Sequence, residues 1–148
     1  MDTVYLAGNL VAAVLWAALL ASLFWSGSRP TIWRLTGIVA PALFAVAYIA
    51  LLVAAPEVEG GGFSSAREVA ALFANPVFLN AGWFHYLAFD LFVGTWIARE
   101  GLAARVPGWA LAPCLLLTFL VGPAGFLLFL VVRLAFSRFP GAVREVRA

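Results

Sequence analysis

Residues 75–100, NPVFLNAGWFHYLAFDLFVGTWIARE, decide how the chain is read. The stretch is long and apolar enough to cross a bilayer, whose hydrocarbon core of about 30 Å takes roughly 20 residues of helix. Yet it carries the only histidine of the chain, His85, and a carboxylate, Asp90. At about 1.5 Å per residue His85 lies roughly 13 Å from Pro76 and Asp90 roughly 21 Å, so both fall inside the hydrocarbon. Neither short side chain can snorkel to water. A charged Asp at mid-helix costs about 2.5–3.5 kcal/mol on insertion scales, so both groups are expected to face an internal, ligand-filled cavity rather than lipid.

Their spacing limits what they can do together. Five residues on a regular helix are about 140° of rotation, so His85 and Asp90 do not share a face. They are expected to look into two different helix–helix seams, or to line a cavity that wraps the helix. Asn80, five residues before His85, is a third polar group, and Gly94, one turn beyond Asp90, lets another backbone approach. Two readings stand. His85 and Asp90 are either polar glue, satisfied by Tyr48, Thr118 or backbone carbonyls, or they do acid–base or ligand work, because intramembrane ionisable groups are costly to keep without a use.

The rest of the chain agrees with a membrane. The sequence is 65% hydrophobic and only 11% charged, more apolar surface than a soluble domain of 148 residues could hide. Apolar runs at residues 3–25, 35–55, 76–98 and 109–134 read as four spans of one all-α transmembrane bundle. The first run follows only MD, with no Lys or Arg before it, and is too long for a signal peptide. Pro41 lies inside the second run and is expected to kink it. The longest connection carries three consecutive glycines at 60–62, read as a flexible loop. Ser65 and Glu68 then form a capping box, which starts a short helix at 65–74. Val69, Leu72 and Phe73 share one face of it, which suits a helix lying in the interface, where it could gate a groove. Asn75 caps and Pro76 opens the third span.

GPAG at 122–125 interrupts the fourth run near the depth of His85. Pro123 frees the carbonyl of Phe119, and irregular backbone at that depth is tolerated where it is buried in protein or lines a cavity. The expectation is a kink inside one helix, not a turn between two half-length ones, so that both termini lie on the same side. Arg29, Arg34, Arg99 and Arg105 would then oppose Arg67, Arg133, Arg138, Arg144 and Arg147. That tally, nearly a tie under the positive-inside rule, leans to both termini outside the cytoplasm.

Several chemistries are excluded. One histidine cannot build a di-iron cluster or a bis-histidine haem within one chain. Cys114 is alone, so there is no intrachain disulfide or multi-cysteine metal site. No phosphate loop, dinucleotide fingerprint, zinc-protease motif or nucleophile elbow is present. No basic run exceeds two residues, so nothing points to nucleic acid. What remains is cofactor-free, metal-free chemistry on an apolar substrate. The aromatics around the polar groups, Phe78, Trp83, Phe84, Tyr86, Phe89 and Phe92, are core packing or a surface for a flat conjugated ligand.

In residues 75–100, and again in LTFLVGPAGFLLFLVVR at 117–133, the chain resembles the abscisic-acid-deficient-four family, that of plant plastid neoxanthin synthase and its bacterial relatives. The block FHYLAFDL at 84–91 is the most specific part and Gly-Pro-x-Gly the second. The resemblance implies a small integral membrane protein needed for a carotenoid conversion, the opening of a xanthophyll epoxide to an allene. Such an isomerisation needs an acid at the epoxide oxygen, support for a developing cation and a base for the departing proton. Asp90, held neutral, is the candidate acid and His85 the candidate base. Asn80, Trp83, Phe84, Tyr86, Phe89, Gly94, Gly122 and Pro123 are the candidate substrate-binding residues. The expected protein is a multi-pass protein of a bacterial cytoplasmic membrane, acting on a carotenoid or similar isoprenoid without a cofactor. The alternatives are a pigment- or lipid-binding protein without turnover, and an assembly partner of a second copy or of another membrane enzyme.

Overall fold

The structure, a computed structural model, describes residues 1–138, so that Arg144 and Arg147 lie outside the described residues. Helix α1 spans Asp2–Ser22. A 3-10 turn, Ser26–Ser28, leads to α2, Arg29–Arg34, a π-helical turn, Leu35–Val39, and α3, Ala40–Val53. Helix α4 spans Ala66–Ala74, α5 Pro76–Ala103 and α6 Gly108–Arg138. No strand occurs among the described residues. Three helical runs, Asp2–Ser22, Ser26–Val53 and Gly108–Ser137, are long and apolar enough to cross a membrane. The expected third span, α5, is as long, with 28 residues. It is not one of the three, because His85, Asp90 and its polar-edged aromatics lower its hydropathy.

The axis of the fold is α5, against which α1, α3, α4 and α6 all pack. In lipid, helices gain little from hiding apolar surface from one another, so close approach at small residues does the work. Gly94 of α5 accepts the Trp16 indole of α1, Gly101 accepts Leu111 of α6, and Gly8 of α1 accepts the Phe84 ring. These contacts set directions. Along α5, Trp83, Phe84 and Gly94 meet Tyr5, Gly8 and Trp16, so α1 runs parallel to α5. His85, Phe84 and Thr95 meet Tyr48, Phe44 and Gly37, so the second run is antiparallel.

The turn after α1 is built from side chains that cap it. Arg29 donates from Nε to the Ser22 carbonyl and from its guanidinium to the Leu23 carbonyl, both at 2.9 Å, satisfying acceptors that a helix end leaves open. At Pro41 the expected kink takes a different form. The Ala40 N–H bonds to the Leu35 carbonyl, five residues back, so the π-turn absorbs the missing proline donor and the run continues. The turn is locked to α5 by a buried pair: the Thr95 hydroxyl meets the Thr36 oxygen at 2.7 Å, and Thr36 donates to the Ile32 carbonyl at 2.9 Å.

The capping box forms. The Glu68 N–H bonds to Ser65 Oγ, and the Glu68 carboxylate takes the Ser64 N–H, one residue earlier than the standard pattern. The glycine run is packed rather than a free loop. Gly61 lies under Leu72, Gly62 lies against the Glu68 side chain, and Gly60 takes a φ of 69°, which favours glycine.

The largest departure is α6. It is one helical run only in name, because Val121 has φ −145° and ψ 52°. Leu111 packs on Gly101 and Gly122 on Asp90, so the first arm runs antiparallel to α5. Phe126 then meets Trp96, and Arg133 pairs with Glu100 at 3.7 Å, so the second arm runs back along α5. The rings of Trp109 and Phe136 are 6.1 Å apart, whereas an unbroken helix would hold them about 40 Å apart. The expectation of a kink inside one spanning helix is therefore wrong: the chain reverses at GPAG into two half-length arms. Glycine makes this sterically possible, since the backbone and hydroxyl of Thr118 fill the place where a side chain at Gly125 would be.

Candidate functional site at the elbow of α6

The reversal puts the elbow of α6 against the middle of α5, and Asp90 is the residue it meets. A Cβ at position 122 would stand 2.5 Å from Asp90 Oδ1 and 2.9 Å from Oδ2, so any side chain here would push the carboxyl from its place. Tyr86, one turn earlier on α5, has its hydroxyl beside both Asp90 and the Gly122 backbone. Even so, Asp90 Oδ2 is buried without a hydrogen-bond partner, and among the described residues no cation pairs with it. Thr118 is not its partner, because that hydroxyl donates to the Cys114 carbonyl at 2.8 Å. Pro123 has no N–H to lose, and it lies in the first turn of the second arm, two residues after the non-helical Val121.

A track of aromatic and amide groups leads to this point along the seam of α1 and α5. Tyr5 lies 5.3 Å from Trp83, and Trp83 stacks on Tyr86 at 5.2 Å. The Trp83 indole donates to Asn9 Oδ1 at 3.2 Å, and Asn9 donates to the Tyr5 carbonyl at 2.7 Å. Tyr5 and Asn9 did not emerge from the sequence. The available signal was Asn9, the one amide in an otherwise apolar first run.

The other expected site residues separate. His85 is exposed on the outer face of α5, not turned into a cavity. It sits between the Tyr48 ring at 5.7 Å and the Phe89 ring at 4.7 Å. The helical rotation that divides it from Asp90 is real, and the two do look to different sides, toward α3 and toward α6. Phe84 is 6% exposed and edge-on to Phe44, while Gly94 is filled by Trp16, so both are packing residues. Asn80 is buried. It donates to the Pro76 carbonyl at 2.8 Å and leaves Oδ1 without a partner. Two depressions, of about 510 Å³ at Pro30, Thr31 and Arg34 and about 180 Å³ at Gly37, Thr95 and Arg99, lie away from His85 and Asp90. No cluster of three metal-ligating side chains occurs among the described residues.

A family model described as ABA DEFICIENT 4-like matches residues 3–129, from α1 to the second arm of α6. The chain belongs to the ABA DEFICIENT 4-like family. The match includes Asp90 and the Gly-Pro-x-Gly elbow, so the juxtaposition described above lies within the family region. No curated protein and no solved structure matches the chain.

Proposed function

We propose that this member of the ABA DEFICIENT 4-like family is a multi-pass protein of a bacterial cytoplasmic membrane that isomerises a bilayer-dissolved carotenoid or similar isoprenoid, with Asp90 as proton donor. The observation that carries the reading is the buried, unpartnered Asp90 carboxyl oxygen against the reversed backbone of α6. Family membership supports a carotenoid-related membrane protein, and apolar helices support the membrane.

The chemistry closes without a cofactor. Asp90 gives its proton to an epoxide oxygen as the ring C–O bond breaks, leaving a hydroxyl. The positive charge spreads into the conjugated chain, where the stacked Trp83 and Tyr86 faces lie close enough to support it. Loss of a proton from the neighbouring polyene carbon makes the allene, and that proton returns to the Asp90 carboxylate. Nothing is added or removed. One carboxyl serves as acid and then base, and His85, on another face between Tyr48 and Phe89, takes no part in this step.

The test is product formation from an epoxide xanthophyll in reconstituted membranes, at equal folded protein. Asp90→Asn keeps the shape and loses the transferable proton, so turnover should fall by about 10²–10⁴-fold while pigment stays bound. Full turnover in the variant would remove the acid–base role. The separation of His85 from Asp90 favours a second reading, a carotenoid- or lipid-binding protein without turnover. Bound pigment and no product from the wild type would select it. A chain that carries no pigment would instead be an assembly partner of another membrane enzyme.

A further inference from the structure

The contacts with α5 sort the ends of the other helices. Asp2 and Pro76 begin α1 and α5 at one end of the bundle. Ser22, Arg29 and Ala103 lie at the other, and so do both ends of α6. The described arginines divide accordingly. Arg29, Arg34, Arg99, Arg105 and Arg133 are at the Ala103 end, while Arg67 of α4 is alone at the Pro76 end, among Asp2, Glu57, Glu59 and Glu68. A straight α6 would have divided these six four to two. The hairpin makes it five to one, and positive residues in short connections stay on the cytoplasmic side.

The arms of α6 are about 20–24 Å long, short of a hydrocarbon core of about 30 Å. From the arginine end they reach only as far as Asp90, near the middle of α5. Below the elbow, the flank of α5 that carries Gly101 is covered by Leu111. Above it, the same flank continues as Tyr86, Trp83 and Leu79, spaced i, i−3 and i−7 from one another and so aligned in one stripe. Tyr5 and Asn9 of α1 stand beside this part on one side and Phe73 of α4, packed on Gly82, on the other, and Leu79 is 51% exposed.

We infer that α6 is a re-entrant hairpin entering from the cytoplasm, and that the slot above its elbow takes the oxygenated ring end of an isoprenoid from the opposite leaflet. The N-terminus is then outside and the end of α6 inside. The identity of the ligand rests on the function proposed above. The sidedness does not.

Two measurements test it. Single cysteines placed at Glu59, Arg105 and Ser137 in a Cys114→Ala background are treated with a membrane-impermeant maleimide on intact cells. The inference expects the Glu59 site to react at once and the Arg105 and Ser137 sites only after permeabilisation. Reaction of the Ser137 site from outside would mean that α6 crosses. Reaction of the Arg105 site from outside would mean that the orientation is reversed. Either result overturns the inference. For the slot, Leu79→Trp fills the space above the elbow at an already exposed position, and Leu127→Trp, also exposed, is the control. Loss of retained pigment in Leu79→Trp alone, with the labelling pattern intact, supports the slot, and equal retention in both overturns it. Because pigment retention and labelling are read without turnover, a failure of the Asp90 chemistry would not be mistaken for a failure of sidedness.

Discussion

VAPAL at residues 39–43 and VGPAG at residues 121–125 differ at two positions, and the chain does opposite things at them. At Pro41 the run holds its course, with one π-turn taking up the missing N–H. At Pro123 the chain reverses. Proline is common to both, so proline does not decide the outcome. The difference lies in Ala40 against Gly122 and Leu43 against Gly125. Leu43 is 64% exposed on an outer face, whereas Gly125 is buried against the Thr118 backbone and Gly122 against Asp90. A proline weakens a helix locally. Glycines on both sides allow two backbones to close on each other, and that contact stabilises the reversal.

The strongest way to break the comparison is to make the second segment more like the first. Gly125→Leu turns VGPAG into VGPAL. The new Cβ would overlap backbone atoms of Thr118, which cannot rotate away as a side-chain tip can. The arms must separate, and the variant should lose roughly 3 kcal/mol or more of stability, the upper range for overpacking. Denaturant unfolding in detergent micelles reads the loss. A variant as stable as the wild type would mean that the close approach of Thr118 and Gly125 does not hold the hairpin.

Gly122→Ala should separate stability from activity. Here the obstructed atoms are the Asp90 carboxyl oxygens, the far end of a side chain that can swing. Stability should fall by only about 1 kcal/mol, at the low end for overpacking. Turnover should fall by about 10²-fold, the cost of a 1 Å misplacement of a catalytic group. Unfolding and product formation measured on one preparation decide between the roles. Lost stability with full turnover would leave Asp90 a packing residue.

Much of this was legible in the residues, for reasons that differ by region. The capping box at Ser65 and the Asn75–Pro76 start of α5 were readable because capping is local chemistry. The separation of His85 from Asp90 followed from helical rotation alone. The reversal of α6 was not readable, since apolar composition is the same for a spanning helix and a hairpin, and the deciding contact, Gly125 on Thr118, depends on the three-dimensional path. The arginine tally came out nearly even for the same reason: it set Arg133 opposite Arg99 and Arg105, and Arg133 joins them when α6 folds back. His85 was expected inside because only its depth could be computed. Which face of α5 stays open depends on α3 and α6 flanking it, and rotation alone does not say that.

The smallest expected effect is at Pro41. If the proline alone caused the π-turn, Pro41→Ala would restore the bond to the Gly37 carbonyl and return the segment to α-helix. That change would rotate residues 35–39 by about 100° relative to α3. It would pull Thr36 from Thr95 and lift Gly37 off the Thr95 methyl, which a Cβ at 37 would meet at 3.0 Å. The buried hydroxyl pair opposes that rotation, since inter-helix hydrogen bonds in membranes contribute about 0.6 kcal/mol on average and up to about 1.7. The π-turn should therefore survive in Pro41→Ala, with stability within about 0.5 kcal/mol of the wild type, as for substitutions that touch no special feature. Thr95→Val removes the opposing bond and should cost about 0.6–1.7 kcal/mol. Combining it with Pro41→Ala measures their coupling. If the double variant regains stability relative to Thr95→Val alone, the turn was held against a helical preference by Thr36 and Thr95. If the two losses simply add, the π-turn is set by the backbone near Pro41 and the hydroxyl pair only decorates it.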